Sequence, residues 1–344
     1  MKLTPDGVAA LLASLRVDAS EKLTKGPTVL IAGPTDAGKS SLSRRLLWQA
    51  LVERDHPILF ADVDIGQGEI SLPGTIGATE VSSSSMRSID GVSPAVEDRE
   101  RYGEMHNYPL QWTNELVYYI GHTNMSEKDW LFKWYISQLA ARLSERQASG
   151  PQLAASGIVV NTCGWVEGQG YRLLLDCIRA FQPSHVLVLG DTKLYDQLVH
   201  EQAAPSVVML PRSHQATRRS AAYRREARVA KIQQYFSRHV PPAMPFFQVQ
   251  VPFDAAAFYR LVQNNRQEMQ VKKETLIESM AHTIVAMCKT PPADAHLIRA
   301  TVMGFLCIRS INKRSKTLVF VSPCAGTTLP SKHFLLGQIE WIAA

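Results

Sequence analysis

Short apolar segments, separated by intervals of helix length, run through the first two thirds of the chain. Each segment is apolar throughout rather than alternating, which is typical of strands that are covered on both faces. The intervals suit helical crossovers between parallel strands, so the pattern predicts a doubly wound α/β domain with a mostly parallel sheet. Its ligand-binding loops are expected at the carboxyl ends of the strands. The six predicted strands are TVLIAG (28–33), PILFADVD (57–64), LVYYIG (116–121), GIVVNT (157–162), HVLVLG (185–190) and SVVML (206–210).

Two segments interrupt this pattern. Residues 82–110 are rich in serine and charge, and we expect them to form an exposed insertion. The three prolines of HVPPAMP (239–245) indicate a domain boundary, which gives domains 1–243 and 244–344. In the second domain, TVMGFLCIRS and TLVFVS flank INKRSK as a predicted β-hairpin, and FLLGQIEWI reads as a closing strand. We therefore expect a small, mostly-β C-terminal domain.

Composition narrows the function only slightly. The chain has 344 residues, 45% of them hydrophobic and 20% charged, which suits about two globular domains. A formal net charge of +6 favours acidic partners such as nucleic acid without identifying one. Five cysteines without paired spacing argue against a disulfide framework or a zinc site and favour a reducing compartment. The amino terminus does not resemble a signal peptide, and no apolar stretch is long enough to span a bilayer, so we expect no membrane partner.

The strongest motif is GPTDAGKSS, which follows the first predicted strand and opens a helix. This is the arrangement of a P-loop, in which backbone amides surround phosphates, the lysine reaches the terminal phosphates and a hydroxyl binds Mg²⁺. A chance match in a glycine-containing loop is the alternative, but the strand before the motif and the helix after it favour a P-loop NTPase. The predicted cofactors are ATP and Mg²⁺, and the predicted ATP-binding residues are Gly33, Pro34, Thr35, Asp36, Ala37, Gly38, Lys39, Ser40 and Ser41.

A pair of carboxylates ends the second predicted strand. Asp62 and Asp64 in ILFADVDIGQGE are expected beside the P-loop, where magnesium and an attacking hydroxyl meet. Asp64 is the better candidate for both roles. Asp62 is equally suited to cap the turn that follows.

The segment 212–238 carries eight Lys or Arg residues against one acid, Glu226, in a sequence that suits a helix. Taken alone, it reads as a solvated basic helix. Beside a P-loop it reads as a lid, whose Arg219 and Arg224 close over the migrating phosphate.

The fourth strand delivers the residues Asn161 to Trp165 (NTCGW) to the ligand edge of the sheet. A tryptophan in a glycine-flanked loop is suited to stack on a nucleobase, although large aromatic side chains more often pack in cores. Cys163 reads as a small buried residue without a catalytic partner.

Together these residues resemble the polynucleotide 5′-hydroxyl kinases, particularly the Clp-type RNA kinase subunit of eukaryotic pre-mRNA cleavage factor II. The resemblance covers nearly the whole chain, through GPTDAGKS, DVDIGQGEISLPGTIGA, LVYYIG, VVNTCGWVEGQGY, LPRSHQATRRSAAYRRE and LPSKHFLLGQIEW. It implies a nuclear protein of mRNA 3′-end processing, with 5′-hydroxyl RNA and other cleavage-complex subunits as partners. It also implies site roles: Lys39 and Ser40 on phosphate and magnesium, Asp64 activating the RNA hydroxyl and binding metal, Gln67, Thr123 and Trp165 on RNA, and Arg219 and Arg224 in the lid.

The sequence departs from the family pattern in three ways. Family members carry an amino-terminal β domain that helps to hold adenine, whereas 27 residues precede the first predicted strand here. We therefore expect a weaker hold on adenine, which a partner packed on the helix around Val8 to Leu15 would restore. The RNA-clamping segment keeps Thr123 but has Met125 and Lys128 where the family has Pro and Asn. The serine-rich insertion is also longer than in the family.

Three functions are therefore open. The first is transfer of the γ-phosphate of ATP to the 5′-hydroxyl of RNA. The second is a catalytically inactive subunit of the same complex, in which ATP only stabilises the fold. The third, a different P-loop NTPase such as a GTPase, is disfavoured because no strand end supplies an Asn-Lys-x-Asp motif for guanine.

Overall fold

The computed structural model describes residues 3–54, 56–83, 113–213, 216–237, 246–288 and 302–342. The chain divides into two compact units. The first unit falls within Met1–Asp64, Gly77–Glu115 and Ile136–Arg218, and the second within Ile65–Ile76, Leu116–Tyr135 and Arg219–Ala344. Most of the predicted insertion and all of the predicted boundary segment 239–245 lie outside the described residues, so both stay predictions.

Seven strands of the described chain form the first sheet, in the order β4-β3-β2-β5-β1-β6-β7. The strands are β1 (Thr28–Ala32), β2 (Ile58–Asp62), β3 (Thr75–Val81), β4 (Thr113–Tyr119), β5 (Ile158–Asn161), β6 (His185–Leu189) and β7 (Ser206–Leu210). The helices of this part of the chain are α1 (Pro5–Glu21), α2 (Lys39–Arg54), α3 (Asp129–Gln147), α4 (Pro151–Ser156), α5 (Gln169–Phe181) and α6 (Thr192–His200).

The predicted doubly wound sheet is confirmed. Strands β2, β5, β1, β6 and β7 are mutually parallel, and all six predicted strand segments are present. Strand β3 is an addition that the sequence analysis did not predict, and it runs antiparallel to β2. Its sequence, TIGATEV, contains a glycine and polar residues, so it lacks the continuous apolar run of its neighbours.

Helix α1 packs its apolar face within the first unit. Val8 and Leu12 are buried, and α1 contacts α2 and α4. Arg16 on the same helix is also buried, and its Nε donates to the carbonyl oxygen of Ser156 at 3.0 Å. The apolar face of α1 thus belongs to the core, while Ala10 and Ser14 on the same helix are exposed, and a partner packed on this helix stays a prediction.

The second sheet, within the described residues, has the order β10-β9-β14-β11-β12-β13-β8 and is antiparallel except where β14 runs parallel to β9. The predicted hairpin and closing strand are confirmed as β12, β13 and β14. Buried aromatic residues, including Phe258, Phe320 and Phe334, fill its core. Its strands are β8 (Phe247–Pro252), β9 (Ala257–Gln263), β10 (Met269–Glu274), β11 (Thr283–Cys288), β12 (Val302–Asn312), β13 (Thr317–Ser322) and β14 (His333–Glu340).

Helix α7 (Ala221–Ser237) belongs to the second unit. Its carboxyl-terminal half is anchored there, because the ring of Phe236 stacks on Trp341 with centroids 4.8 Å apart. None of the helices in the described part of the chain is both long enough and apolar enough to cross a membrane.

Candidate active site

The P-loop (Gly33–Ser40) joins β1 to α2 in a backbone path that requires glycine. Gly38 has φ of 99°, and a Cβ atom there would lie 2.8 Å from Cβ of Ser213. Asp36 also has a positive φ, 60°. This left-handed backbone lets the loop curl tightly before the helix begins, as a phosphate-binding loop requires.

The side chain of Lys39 folds back onto the backbone of the P-loop. Its side-chain Nζ donates to the carbonyl oxygens of Gly33 and Pro34, both at 2.9 Å, and the residue is only 7% exposed. Burial lowers the pKa of Lys39, and the negative charge of Asp64 opposes that shift. An ammonium group that is largely removed from water is suited to pair with an anionic ligand such as phosphate.

The helix that follows adds a favourable field. Helix α2 has 16 residues, and its first turn carries no acidic side chain. Its amino-terminal N–H groups therefore present partial positive charge without an internal counter-charge. Ser40 and Ser41 lie in this first turn and are partly exposed.

Asp62 and Asp64 occupy different environments. Asp62 is buried, and its Oδ1 accepts hydrogen bonds from Nδ2 of Asn161 at 2.9 Å and from the backbone N–H of Asp64 at 3.2 Å. Asp64 is only partly buried, and its charge acts on Lys39. Asp62 therefore holds the turn, which is the alternative role raised from the sequence. Asp64 is the more accessible of the two carboxylates.

The end of β5 touches the P-loop. Oγ1 of Thr162 donates to the carbonyl oxygen of Ile31 on β1 at 2.7 Å, and Oγ1 of Thr35 donates to the carbonyl oxygen of Gly164 at 3.3 Å. Cys163 lies between Thr162 and Gly164 in the chain. Burial raises the pKa of its thiol to about 12, and the negative charge of Asp64 adds to the shift. That thiol stays protonated at neutral pH, and the residue is half-buried rather than fully buried as expected from the sequence.

Trp165 stands at the outside of this edge. It is 37% exposed, and its ring lies so close to Gly170 that a Cβ there would be 2.4 Å from the indole Cγ. The ring is thus supported by the first turn of α5 while part of it faces solvent. Base stacking needs such an open ring, and the RNA-binding role of Trp165 stays a prediction.

Arg212 has a role at the P-loop that was not predicted from the sequence. Its Nη2 donates to the carbonyl oxygen of Asp36 at 3.0 Å, and the backbone N–H of Ser213 donates to the carbonyl oxygen of Ala37 at 3.3 Å. The start of the basic segment is therefore fixed on the P-loop. The sequence signal that could have predicted this role is the position of Arg212 directly after β7, at the edge of the sheet where ligands are expected to bind.

The helix of the basic segment is shorter than predicted. It begins at Ala221, because Oγ of Ser220 accepts from the N–H of Tyr223 at 3.1 Å and caps its first turn. Arg219 thus precedes the helix, with its guanidinium carbon 5.3 Å from the ring centroid of Tyr223. Arg224 lies on the helix and donates from Nη1 to the carbonyl oxygen of Arg219 at 2.8 Å.

Gln67 lies in a closed loop of the second unit. The loop ends meet where the N–H of Gly74 donates to the carbonyl oxygen of Ile65 at 2.7 Å. Lys231 of α7 holds the loop tip, because its Nζ donates to the carbonyl oxygen of Gly68 at 3.0 Å.

Thr123 lies in the segment that departs from the family pattern. Met125 is buried, and Oδ1 of Asn124 accepts from the N–H of Ser126 at 3.2 Å, which caps a short 3₁₀ turn. Asn124 therefore has a structural task here. The four residues Gln67, Thr123, Arg219 and Arg224 all fall in the second unit, whereas the P-loop, Asp64 and Trp165 fall in the first.

Comparison with known proteins gives consistent matches. The family model described as mRNA cleavage and polyadenylation factor CLP1 P-loop matches residues 33–238, and that of pre-mRNA cleavage complex II protein Clp1 matches residues 183–343. The chain is 32% identical to a protein CLP1 homolog of Culex quinquefasciatus, over 96% of this chain and 76% of that protein. It is also 32% identical to a protein CLP1 homolog of Arabidopsis thaliana, over 93% of this chain and 71% of that protein.

Solved structures share the fold. Clp1p in a Clp1p–Pcf11p complex superposes with a TM-score of 0.78 at 22% sequence identity, over 97% of this chain and 79% of that one. A second Clp1p structure, described by its extended interface with Pcf11p and by the basis for ATP loss in a point mutant, gives the same values.

Proposed function

Because this chain belongs to the Clp1 family of pre-mRNA cleavage and polyadenylation factors, we propose that it is an ATP-binding subunit of that machinery which phosphorylates 5′-hydroxyl RNA. Work on pre-mRNA implies a nuclear location. The proposed partners are RNA with a 5′-hydroxyl end and other subunits of the cleavage complex, of the kind that Pcf11p represents for Clp1p.

The observation that carries the proposal is the convergence of three neighbouring strand ends. Strands β2, β5 and β1 are adjacent and parallel, so their carboxyl ends meet at one edge of the sheet. That edge holds Lys39 in its P-loop, Asp64 beside the charge of Lys39, and the Thr162–Trp165 segment against Thr35. A cation, a carboxylate and an open aromatic ring at one edge suit phosphate, a reacting hydroxyl and a base.

The residues present fit magnesium only together with a nucleotide. Within the described residues, no three His, Cys, Asp or Glu side chains group so as to hold a metal ion by themselves. Mg²⁺ in phosphoryl-transfer sites takes one or two protein ligands plus phosphate oxygens, and Ser40 and Asp64 would supply those two. When bound, it would neutralise charge on the transferred phosphoryl group.

The proposed reaction is an in-line transfer. The P-loop amides and Lys39 bind the β- and γ-phosphates, and Asp64 takes the proton of the RNA 5′-hydroxyl. The hydroxyl oxygen forms a bond to the γ-phosphorus as the bond to the β,γ-bridging oxygen breaks, which releases ADP. Arg219 and Arg224 would offset negative charge on the equatorial oxygens, and Trp165 would hold the terminal base.

A second candidate, an ATP-bound subunit without kinase activity, is favoured by the segment around Thr123. The segment has Lys128 where the family has Asn, and the side-chain oxygen of Asn124 already caps a turn, so the amide oxygen of Asn124 does not replace the family's Asn. The P-loop geometry supports both candidates equally. They differ only in whether the γ-phosphate of the bound ATP is transferred to RNA.

One experiment separates the two candidates. The purified chain is incubated with 5′-hydroxyl RNA and ATP labelled at the γ-phosphate, and ATP affinity is measured in parallel. Lys39→Ala should lose both ATP binding and label transfer, while Lys193→Ala, an exposed lysine on α6, should keep both. ATP binding without labelled RNA in the parent would favour the inactive subunit, and no ATP binding in the parent would overturn the proposal.

A further inference from the structure

Asn161 occupies an unusual position at the last residue of β5. It is 1% exposed, and it is the register partner of Asp62 on the neighbouring parallel strand. Its Nδ2 donates to Oδ1 of Asp62 at 2.9 Å. Because an ionised carboxylate only accepts hydrogen bonds, this contact fixes the orientation of the amide, and Oδ1 of Asn161 must point away from Asp62.

The oxygen end of this amide differs from the nitrogen end in its contacts with the described residues. Oδ1 of Asn161 is buried and has no hydrogen-bond partner within the part of the chain that the structure describes. Leaving a buried acceptor unpaired is costly, so an amide is a poor choice if the position serves packing alone. Orphaned acceptors of this kind are common where a water molecule or ligand completes the site.

The location of this acceptor identifies its role. The same Oδ1 of Asp62 that accepts from Asn161 also accepts from the N–H of Asp64, the proposed magnesium ligand. Asn161 therefore lies one hydrogen bond away from the group that fixes the turn at Asp64. It also stands between β1, which leads into the P-loop, and β2, which leads to Asp64.

We propose that Asn161 is a positioning residue for the magnesium–nucleotide complex. Its Nδ2 fixes Asp62 and, through it, the turn at Asp64, while its Oδ1 accepts a hydrogen bond from a water molecule that accompanies the magnesium ion. This inference rests on the proposed function, since it concerns the same P-loop site. Groups that orient metal ligands in this way typically contribute 10- to 100-fold to metal affinity.

The test compares ATP affinity with and without Mg²⁺. ATP is titrated into the full chain in excess Mg²⁺ and again in a chelator, and the ratio of the two affinities is the magnesium response. In Asn161→Leu we expect the response to fall at least about tenfold, with the affinity in chelator unchanged. An unchanged affinity in chelator shows that the P-loop is still folded. Asn161→Val, which is smaller and suits a strand, is the second variant if leucine is too large.

A matched control comes from α2. Gln49 is a second amide whose side-chain oxygen is buried without a hydrogen-bond partner in the described chain, but it lies ten positions beyond Lys39. Gln49→Leu should keep the full magnesium response. If Gln49→Leu lost as much of the magnesium response as Asn161→Leu, the inference would be overturned, because the loss would then follow from the removal of any buried amide.

The dependence on Asp62 can be measured separately. If Asn161 acts in part through Asp62, the losses of magnesium response in Asn161→Leu and Asp62→Asn should not multiply in the double variant. A response that persists in both Asn161 variants overturns this inference and leaves the proposed function standing. A parent chain that binds no ATP at all overturns the proposed function, and this inference with it.

Discussion

The backbone of Gly164 lies directly against Thr35 of the P-loop. A Cβ atom at position 164 would be 2.5 Å from both the Cα and the backbone nitrogen of Thr35. Oγ1 of Thr35 also donates to the carbonyl oxygen of Gly164. The loop that carries Trp165 and the loop that binds phosphate are therefore in backbone contact, and only a residue without a side chain fits between them.

Gly164→Ala should accordingly displace the P-loop. Because both colliding groups are backbone, the clash has no flexible side chain to relieve it, and overpacking of this kind costs about 1–3 kcal/mol. We expect a lower free energy of unfolding together with weaker ATP binding, measured by chemical denaturation and ATP titration. Gly150→Ala is the matched control, since a Cβ there meets no atom within 4 Å. Equal behaviour of the two variants would contradict the backbone contact.

Trp165→Ala should weaken RNA binding without changing ATP affinity. One base stacked on an aromatic ring contributes roughly 1–3 kcal/mol, which corresponds to about a 5- to 150-fold change in dissociation constant. Trp165→Phe keeps a ring and should retain most of the affinity for a labelled single-stranded RNA in an anisotropy titration. Unfolding or loss of ATP binding in Trp165→Ala would instead show that the ring is structural.

Arg224 should matter more than its neighbour on the same helix. It carries a guanidinium group and also holds the backbone of Arg219, so Arg224→Ala removes one proposed phosphate contact and loosens the other. We expect label transfer to RNA to fall at least about a hundredfold with ATP affinity little changed, since arginines of this kind act mainly on the transition state. Arg225→Ala, an exposed arginine one position along, should keep nearly full transfer.

If Arg224→Ala and Arg225→Ala lose transfer equally, the helix acts only through its general positive charge. The assignment of Arg224 would then be wrong.

Stability at high pH should depend on Cys288. Burial raises the pKa of its thiol to about 12, from an ordinary value of 9.0. The folded state therefore keeps a proton that the unfolded state loses above pH 9. The contribution of the protonated thiol to the free energy of unfolding is thus complete below pH 9 and is lost as the pH rises toward 12. Between pH 8 and pH 10 the loss amounts to about 1 kcal/mol.

Cys288→Ala removes this titration. The difference in free energy of unfolding between the parent and this variant should therefore decrease by about that amount between pH 8 and pH 10. The measurement is the free energy of unfolding of parent and variant by denaturant at both pH values. Cys324→Ala, at an exposed cysteine, serves as the control for the substitution itself. Parallel curves for the parent and Cys288→Ala would contradict a buried, protonated thiol.

The sequence predicted the features that local patterns determine. Six strand segments of the first sheet were visible as continuous apolar runs, and the P-loop was visible as a motif between a strand and a helix. The hairpin formed by β12 and β13 was visible from its polar turn. Strand β3 was missed, because its mixed sequence becomes a strand only when β2 offers an edge to pair with.

The finer parts of the site depend on contacts between distant positions. Arg212 reaches the carbonyl oxygen of Asp36 across 176 positions, and Asn161 reaches Asp62 across 99. Each contact follows from strand register, which no local pattern specifies. The helix around Val8 was predicted correctly, but the elements that bury its apolar face, α2 and α4, are not specified by any local pattern.

In the proposed reaction, Asp64 takes the proton of an RNA 5′-hydroxyl while the P-loop holds ATP. The most direct measurement is transfer of label from γ-labelled ATP to 5′-hydroxyl RNA by the parent chain and by Asp64→Asn, at ATP concentrations that saturate both. The parent should yield RNA labelled at its 5′ end, and Asp64→Asn should bind ATP but yield at least about a hundredfold less label. Equal labelling by Asp64→Asn, or saturation of the parent with ATP without any labelled RNA, would contradict the claim.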